Sequence, residues 1–410
     1  QTLAFRASVS CVGYAVYTLH LSSSKTAAYN QRRAVAGRSI GGASTASLGL
    51  TGGRLDWSFD GGHIIDMLRY FDGGDAGDVW HYAEPQPDVV MQGSLIDVVQ
   101  IEATPTYERL IFRNRMRIAP ELKNGSERVR GLRVLDVTTT ATYYTDIEGV
   151  YFRTTFTNTA KDHRLRAHIR TGISATSLYS DSVFGMTQRR IMTDNKNPHW
   201  QEHPLQNVVA LYGKKYGLAL FTRGLLSVEP LVEDGQITLA LTLLRSVGWV
   251  DKAQQMASQK AQQEGEAFTT EFFLLPLGKD HNPTQLMQRS MAFRAPLQAY
   301  QYQTRPMHGT HSYLQIESDH VLLTAFKPPQ YRSQSRQEEA DVSTESKEII
   351  VRLLNPTDNE AGATLIPAQA PTAVEQVSLA ETAVAELALT DRRIHVTLQA
   401  HQLLTLRMVF

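Results

Sequence analysis

The chain has a single cysteine, Cys11, so no internal disulfide framework can form, and this fits a reducing compartment. It also lacks an excess of either charge. Lys plus Arg and Asp plus Glu number 41 each, which gives no sign of a nucleic-acid groove or an attachment to acidic membrane. Nowhere do about 18 apolar residues run together, so no transmembrane helix is expected. A basic segment followed by an apolar one is absent, so no signal peptide is expected and a cytoplasmic location is. The 410 residues suffice for two or three domains with a sizeable core.

What the chain does have is short alternating runs separated by polar turns. Val150, Phe152, Thr154 and Phe156 alternate with Tyr151, Arg153, Thr155 and Thr157, the period of two of a strand with one buried face. Leu165, Ala167 and Ile169 then alternate with Arg164, Arg166, His168 and Arg170, so a second strand carries cations and imidazole on one face. Further strands are expected at 54–59, 95–101, 109–118, 129–144, 208–211, 218–221 and 237–244. The stretch 9–21 also reads as a strand. Many strands with short turns argue for a large antiparallel sandwich. Residues 22–47 and 332–347 read as loops, and 251–266 as an exposed loop or short helix. One helix is expected over 283–293, with Asn282 as its cap and Pro283 at its first position. Three parts follow: 1–47, a strand of a preceding small β-domain plus linker; 48–300, the large sandwich; and 301–410, a small terminal β-domain.

Four strings stand out in order: Gly77-Asp78-Val79-Trp80-His81-Tyr82, Asn158 with Asp162-His163-Arg164-Leu165-Arg166, Asp181-Ser182-Val183-Phe184-Gly185 with Arg189, and Thr242-Leu243-Leu244-Arg245-Ser246-Val247-Gly248. Together they resemble the C-terminal β-region of glycoside hydrolase family 38, the zinc-dependent α-mannosidases, and most closely its bacterial members, which include mannosylglycerate hydrolases. The resemblance is good over about residues 10–300 and weak over the last hundred. It implies a supersandwich like that of galactose mutarotase, and a retaining mechanism with two carboxyl groups about 5 Å apart. The nucleophile and zinc ligands of such enzymes lie in an upstream catalytic domain and the helical domain after it. The chain is accordingly read as a fragment, with those two domains as partners, no metal or catalytic residue of its own, and no activity alone. Self-association stays open.

The resemblance also suggests substrate-side residues. Trp80 falls where the family has an aromatic near the scissile sugar, usually Tyr. It could stack on a sugar face and donate from its indole nitrogen, or pack under its loop. Asp78 could accept from sugar hydroxyls or make a turn. Tyr82 matches the second aromatic, with packing the favoured reading. Asp181 and Arg189 match a segment where an arginine could reach an anionic aglycone such as glycerate, or anchor a loop as a pair. Trp200 and Glu202 are expected to line or brace the same cleft. Asp162, Arg164, Arg166 and Arg245 are read as holding the fold, since buried cations need carboxylate or carbonyl partners. His199 and His203 are read as structural or solvent-facing, because Pro198 and Pro204 break the helix that would align them and no third ligand is in view. Two other functions remain: a free-standing carbohydrate-binding or scaffolding β-protein, and an independent sugar-active enzyme using a His acid and a carboxylate base.

Overall fold

The computed structural model describes residues 5, 7–9, 12–17, 39–41, 46–129, 131–192, 202–280, 282–301, 309–330 and 347–410. Its largest core lies between two antiparallel sheets. The nine-stranded sheet runs, in spatial order, Gly185–Arg190, Ser177–Ser182, Val208–Tyr212, Gly217–Arg223, Ala267–Leu277, Val150–Thr157, Arg133–Tyr144, Tyr107–Ile118 and Ser94–Ala103. The six-stranded sheet runs His203–Pro204, Ser227–Glu233, Gln236–Ser246, His163–Arg170, Leu68–Gly74 and Met91–Gln92. Both give their apolar faces to one cluster, to which a four-stranded sheet adds Leu48, Trp57 and Phe59. The alternation in the sequence decides which face is inward. Val150, Phe152, Thr154 and Phe156 are buried while Arg153 and Thr157 are exposed. Phe152 and Phe156 stack on Phe272 and Phe268 of the neighbouring strand, at 4.9 and 5.4 Å between ring centroids.

A second, smaller core lies between a three-stranded sheet, Leu314–Glu317, Ala361–Pro367 and Ile394–Leu398, and a five-stranded sheet that includes Glu348–Leu354 and Leu403–Val409. The helix Pro283–Arg294 joins the two bodies. Leu286 packs with Val208, Ala210 and Phe221 of the large sheet, while Met287 packs with Leu322 and Leu354 of the small one. Its start is as expected: Pro283 opens the first turn, and the Asn282 side chain accepts from the Gln285 amide at 2.9 Å. The first described strand, Gly13–Ala15, pairs antiparallel with Thr310–Ser312, at the opening of the last hundred residues.

Three local expectations change. Of residues 22–47, read as a loop, Ser39–Gly41 forms a strand paired antiparallel with Ser47–Thr51. The run expected at 129–144 is a strand only over Arg133–Tyr144. Ahead of it Glu127–Arg128 folds back on Leu122–Lys123, because Asn124 and Gly125 both adopt positive φ (51° and 68°) in a tight hairpin turn. Residues 251–266, read as an exposed loop or short helix, do include a short helix but are not exposed throughout. They contain the short 3-10 helix Gln259–Gln262, and Gln262 is buried. Its side-chain oxygen accepts from the Asp162 amide at 2.9 Å and its nitrogen donates to Asp162 Oδ1 at 2.6 Å.

The Asn-Asp-His string is a buried polar junction. His163 Nδ1 meets Asp72 Oδ2 at 2.5 Å and Nε2 meets Asn158 Oδ1 at 2.8 Å. Asn158 uses its amide nitrogen on the carbonyls of Gln262 and Gln263, so its oxygen faces the imidazole. Asp72 Oδ1 accepts from Arg128 Nη2 at 2.5 Å. Four segments distant in sequence thus meet at side chains almost wholly removed from water. Replacing His163 by Ala should cost about 3–5 kcal/mol in urea unfolding, because it leaves Asp72 and Asn158 buried with lost partners. A loss under about 1 kcal/mol would show the junction to be dispensable.

Candidate functional site

A cleft of about 740 Å³ lies over the outer face of the six-stranded sheet. Its floor follows from the same alternation that fills the core. With Leu165, Ala167 and Ile169 inward, Arg164, Arg166 and His168 point outward. Arg164 lies opposite Gly73 and Arg166 opposite Phe71 on the adjoining strand. One wall is the loop carrying Trp80, Tyr82, Glu84 and Asp88. The other carries Glu202, His203, Pro204 and Leu226, and Ser227, Glu229 and Leu231 complete the floor.

The cations are neutralised in place. Arg164 Nη1 lies 3.3 Å from Glu202 Oε2, and its guanidinium covers the Tyr82 ring at 3.6 Å. Arg166 Nη1 donates to Glu229 Oε2 at 2.5 Å. Burial, and then the like charge of Arg164, lower the pKa of Arg166 below that of a free guanidinium. Glu202 is pushed up by burial, but hydrogen bonds from Ser227 and Thr242 and the charges of Arg164 and Arg166 outweigh this, leaving it below the usual carboxylate range. Burial pushes the Tyr82 hydroxyl up to about 12.

The Trp80 loop is built from within. Gly77 has no alternative, since a Cβ there would lie 1.8 Å from the His81 carbonyl oxygen. Asp78 Oδ1 accepts from the amides of Trp80 (3.0 Å) and His81 (2.8 Å), and Oδ2 from the Lys252 amide (3.2 Å). Burial raises its pKa, yet the amides of Lys252, His81 and Trp80 prevail and hold it below its ordinary value. Arg245 ties down the base of the loop, donating to Asp75 Oδ2 at 2.7 Å and to the Asp78 carbonyl at 2.8 Å. The loop closes with the Trp80 side chain in the cleft and the residue 73 % exposed.

The structure therefore brings together Trp80, Tyr82 and Glu202 of the residues singled out by sequence. Asp78 is a turn-maker with both oxygens occupied, in place of a free acceptor for sugar hydroxyls. Asp181 and Arg189 are absent from the cleft lining. Asp181 is buried and accepts from the amides of Gln206, Asn207 and Val208, so it anchors that turn, while Arg189 Nε donates to Ser180 Oγ at 2.8 Å. Trp200 and His199 lie outside the described residues. His203 lines the cleft on a two-residue edge strand, its pKa lowered by burial and then by Arg189. Arg164 and Arg166, read from sequence as fold-holding in preference to ligand contact, also form the cleft floor. Glu84, Asp88 and Glu229 had no sequence signal of their own. The only clue was indirect, that a row of arginines on one strand face calls for carboxylates elsewhere.

Two sequence-family models match. The Glycosyl hydrolases family 38 C-terminal domain covers residues 65–253, and the Glycosyl hydrolases family 38 C-terminal beta sandwich domain covers residues 320–406. This chain carries the C-terminal region of glycosyl hydrolase family 38. Over 231 residues the chain is 29 % identical to a protein of Halalkalibacterium halodurans named as a candidate mannosylglycerate hydrolase, a match covering 54 % of this chain and 24 % of that protein. The fold is shared with an α-mannosidase from Enterococcus faecalis V583, at a TM-score of 0.74 and 20 % identity over 91 % of this chain and 42 % of the other. It is likewise shared with a family 38 glycosyl hydrolase protein from Enterococcus faecalis (TM-score 0.72, 19 % identity, 91 % and 44 % covered). The chain thus spans about a quarter of the curated relative and less than half of the solved ones.

His168 stands beside the cleft floor, its ring tilted against that of Phe71 at 4.2 Å between centroids, and neither ring nitrogen has a partner. Burial, with the charges of Arg166, Arg69 and Arg164, pushes its pKa down to about 2 from 6.5. Below pH 6.5 the unfolded chain takes up a proton there that the folded chain refuses, so stability is lost as pH falls, by up to about 1.4 kcal/mol per unit. Between pH 6.5 and 4.5 wild type should lose about 2–3 kcal/mol more than His168→Phe in urea unfolding. Parallel losses in the two proteins would refute this account of the imidazole.

Proposed function

We propose that this chain is the C-terminal part of a retaining, zinc-dependent α-mannosidase-type glycoside hydrolase, and that its cleft forms the aglycone-side wall of the sugar site. The observation that carries the reading is the placement of Trp80. A Gly-Asp loop resembling the family's holds an exposed indole over a polar cleft, in a chain matched by both family 38 C-terminal models. An aromatic face so presented suits the apolar face of a sugar ring, and the carboxylates beneath it suit hydroxyl donors.

The chemistry of bond cleavage is assigned to the rest of the protein. Among the described residues no three His, Cys, Asp or Glu side chains converge as a metal centre requires. Among the described residues, then, no donor set fits zinc. Glu202 and Glu229 are each held by an arginine, which suits a binding wall better than a proton donor. Arg245 and Asp78 act through Trp80, by fixing the loop that presents it.

The purified chain should show neither turnover of an aryl α-mannoside nor stoichiometric zinc. Turnover with zinc bound would place the catalytic centre inside these residues and refute the assignment. Glycan affinity in a protein without a catalytic partner would instead favour a free-standing carbohydrate-binding role. In the full-length enzyme Trp80→Ala should raise KM about tenfold, the worth of one aromatic contact, with kcat within about twofold. A fall in kcat at unchanged KM would exclude a simple binding role for the indole.

A further inference from the structure

The cleft contains four carboxylates, Glu84, Asp88, Glu202 and Glu229, against two guanidiniums, Arg164 and Arg166. Both guanidiniums are already committed, Arg164 to Glu202 and to the Tyr82 ring, Arg166 to Glu229. A third cation, Arg128, lies behind the wall, 3.7 Å from Asp88, but its stronger pairing is with Asp72 and its other contacts are carbonyls. Of the two lining histidines, His203 has its pKa lowered by burial and then by the charge of Arg189. The other, His81, sits 3.3 Å from the Asp78 carboxylate. Glu84 is exposed at the mouth. An anion entering this cleft would meet a surplus of negative charge and, among the described residues, no uncommitted guanidinium or lysine. An uncharged polyhydroxylated ligand would meet the same carboxylates as hydrogen-bond acceptors, without that opposition.

From this charge balance we infer that the cleft accepts a mannoside with an uncharged aglycone and discriminates against one whose aglycone carries a carboxylate. The inference rests on the proposed placement of the aglycone in this cleft. It separates the chain from a relative named for mannosylglycerate, whose aglycone is an acid. It also removes the basis for an anion-reading Arg189, which lies off the cleft lining and bonded to Ser180. Selection comes from repulsion as much as from attraction: like charges brought together across a contact weaken binding strongly, while hydroxyl groups in the same place do not.

The test uses the full-length protein and a matched pair of substrates, mannosylglycerate and its glyceramide analogue, in which the carboxylate becomes a carboxamide of the same shape. The expected result is a kcat/KM at least about tenfold higher for the amide. Glu84→Lys should narrow that ratio to about threefold or less, since it replaces a mouth carboxylate by a cation. Using the ratio cancels any loss of folded protein in the variant. Equal rates on the two substrates, or a preference for the acid, would overturn the inference while leaving the mannosidase reading intact. Turnover of neither substrate would overturn both. A ratio unmoved by Glu84→Lys, but changed by raising the salt concentration, would also overturn it, by locating the discrimination outside this cleft.

Discussion

The large sandwich depends on one buried polar junction. His163 is gripped between Asp72 and Asn158, Asp72 is shared with Arg128, and Asn158 reaches across to the 3-10 turn at Gln262. These groups sit at the edge of the core, where the strand Leu68–Gly74, the strand His163–Arg170, the hairpin at 122–128 and the segment after Gly248 come together. None can be removed singly without stranding a partner in a place that water does not reach. The junction also sets register. Fixing His163 opposite Gly74 fixes Arg164 opposite Gly73 and Arg166 opposite Phe71, and with them the whole floor of the cleft.

The cleft's character follows from that floor. Once the period of two has turned Leu165, Ala167 and Ile169 inward, the arginines between them must lie on the outer face, and a half-buried arginine must find acid. Glu202 and Glu229 come from a wall and a strand that are remote in sequence, and they arrive there only because the sheet is ordered as it is. The result is a salt-bridged surface rather than a free basic patch. Its surplus of carboxylate, Glu84 and Asp88, belongs to the same loop that lifts Trp80 into the open. The exposed indole and the surplus carboxylate are therefore parts of one construction.

Much of the fold was legible in the sequence, and the reasons differ from part to part. Val150–Thr157 and His163–Arg170 were readable because each has one wet and one dry face, and the Pro283 helix because its cap chemistry is local. The hairpin at Leu122–Lys123 was missed as a separate element, although Asn124-Gly125 announced its turn, because the apolar residues beyond it ran on into the next strand. Gln262 was missed because a glutamine in a polar stretch gives no hint that a buried aspartate loop is waiting for its amide. Of the cleft lining, the strings pointed to Trp80 and Tyr82, and the wider resemblance to Glu202. The same strings pointed equally to Asp78 and Asp181, whose oxygens are spent on backbone amides.

What the sequence determined by itself was the all-β class, the inward and outward faces of its clearest strands, and the family, because these rest on alternation and on short strings contiguous in the chain. What only the tertiary structure decided was which polar residues hold the fold and which line the cleft. Asp75, Asp78 and Glu84 look alike in one dimension, yet only Glu84 is left exposed. They differ because Arg245, reached across 170 residues, takes the first, and backbone amides take the second. Whether a charge is spent or available depends on partners brought together through space, and sequence spacing does not record them.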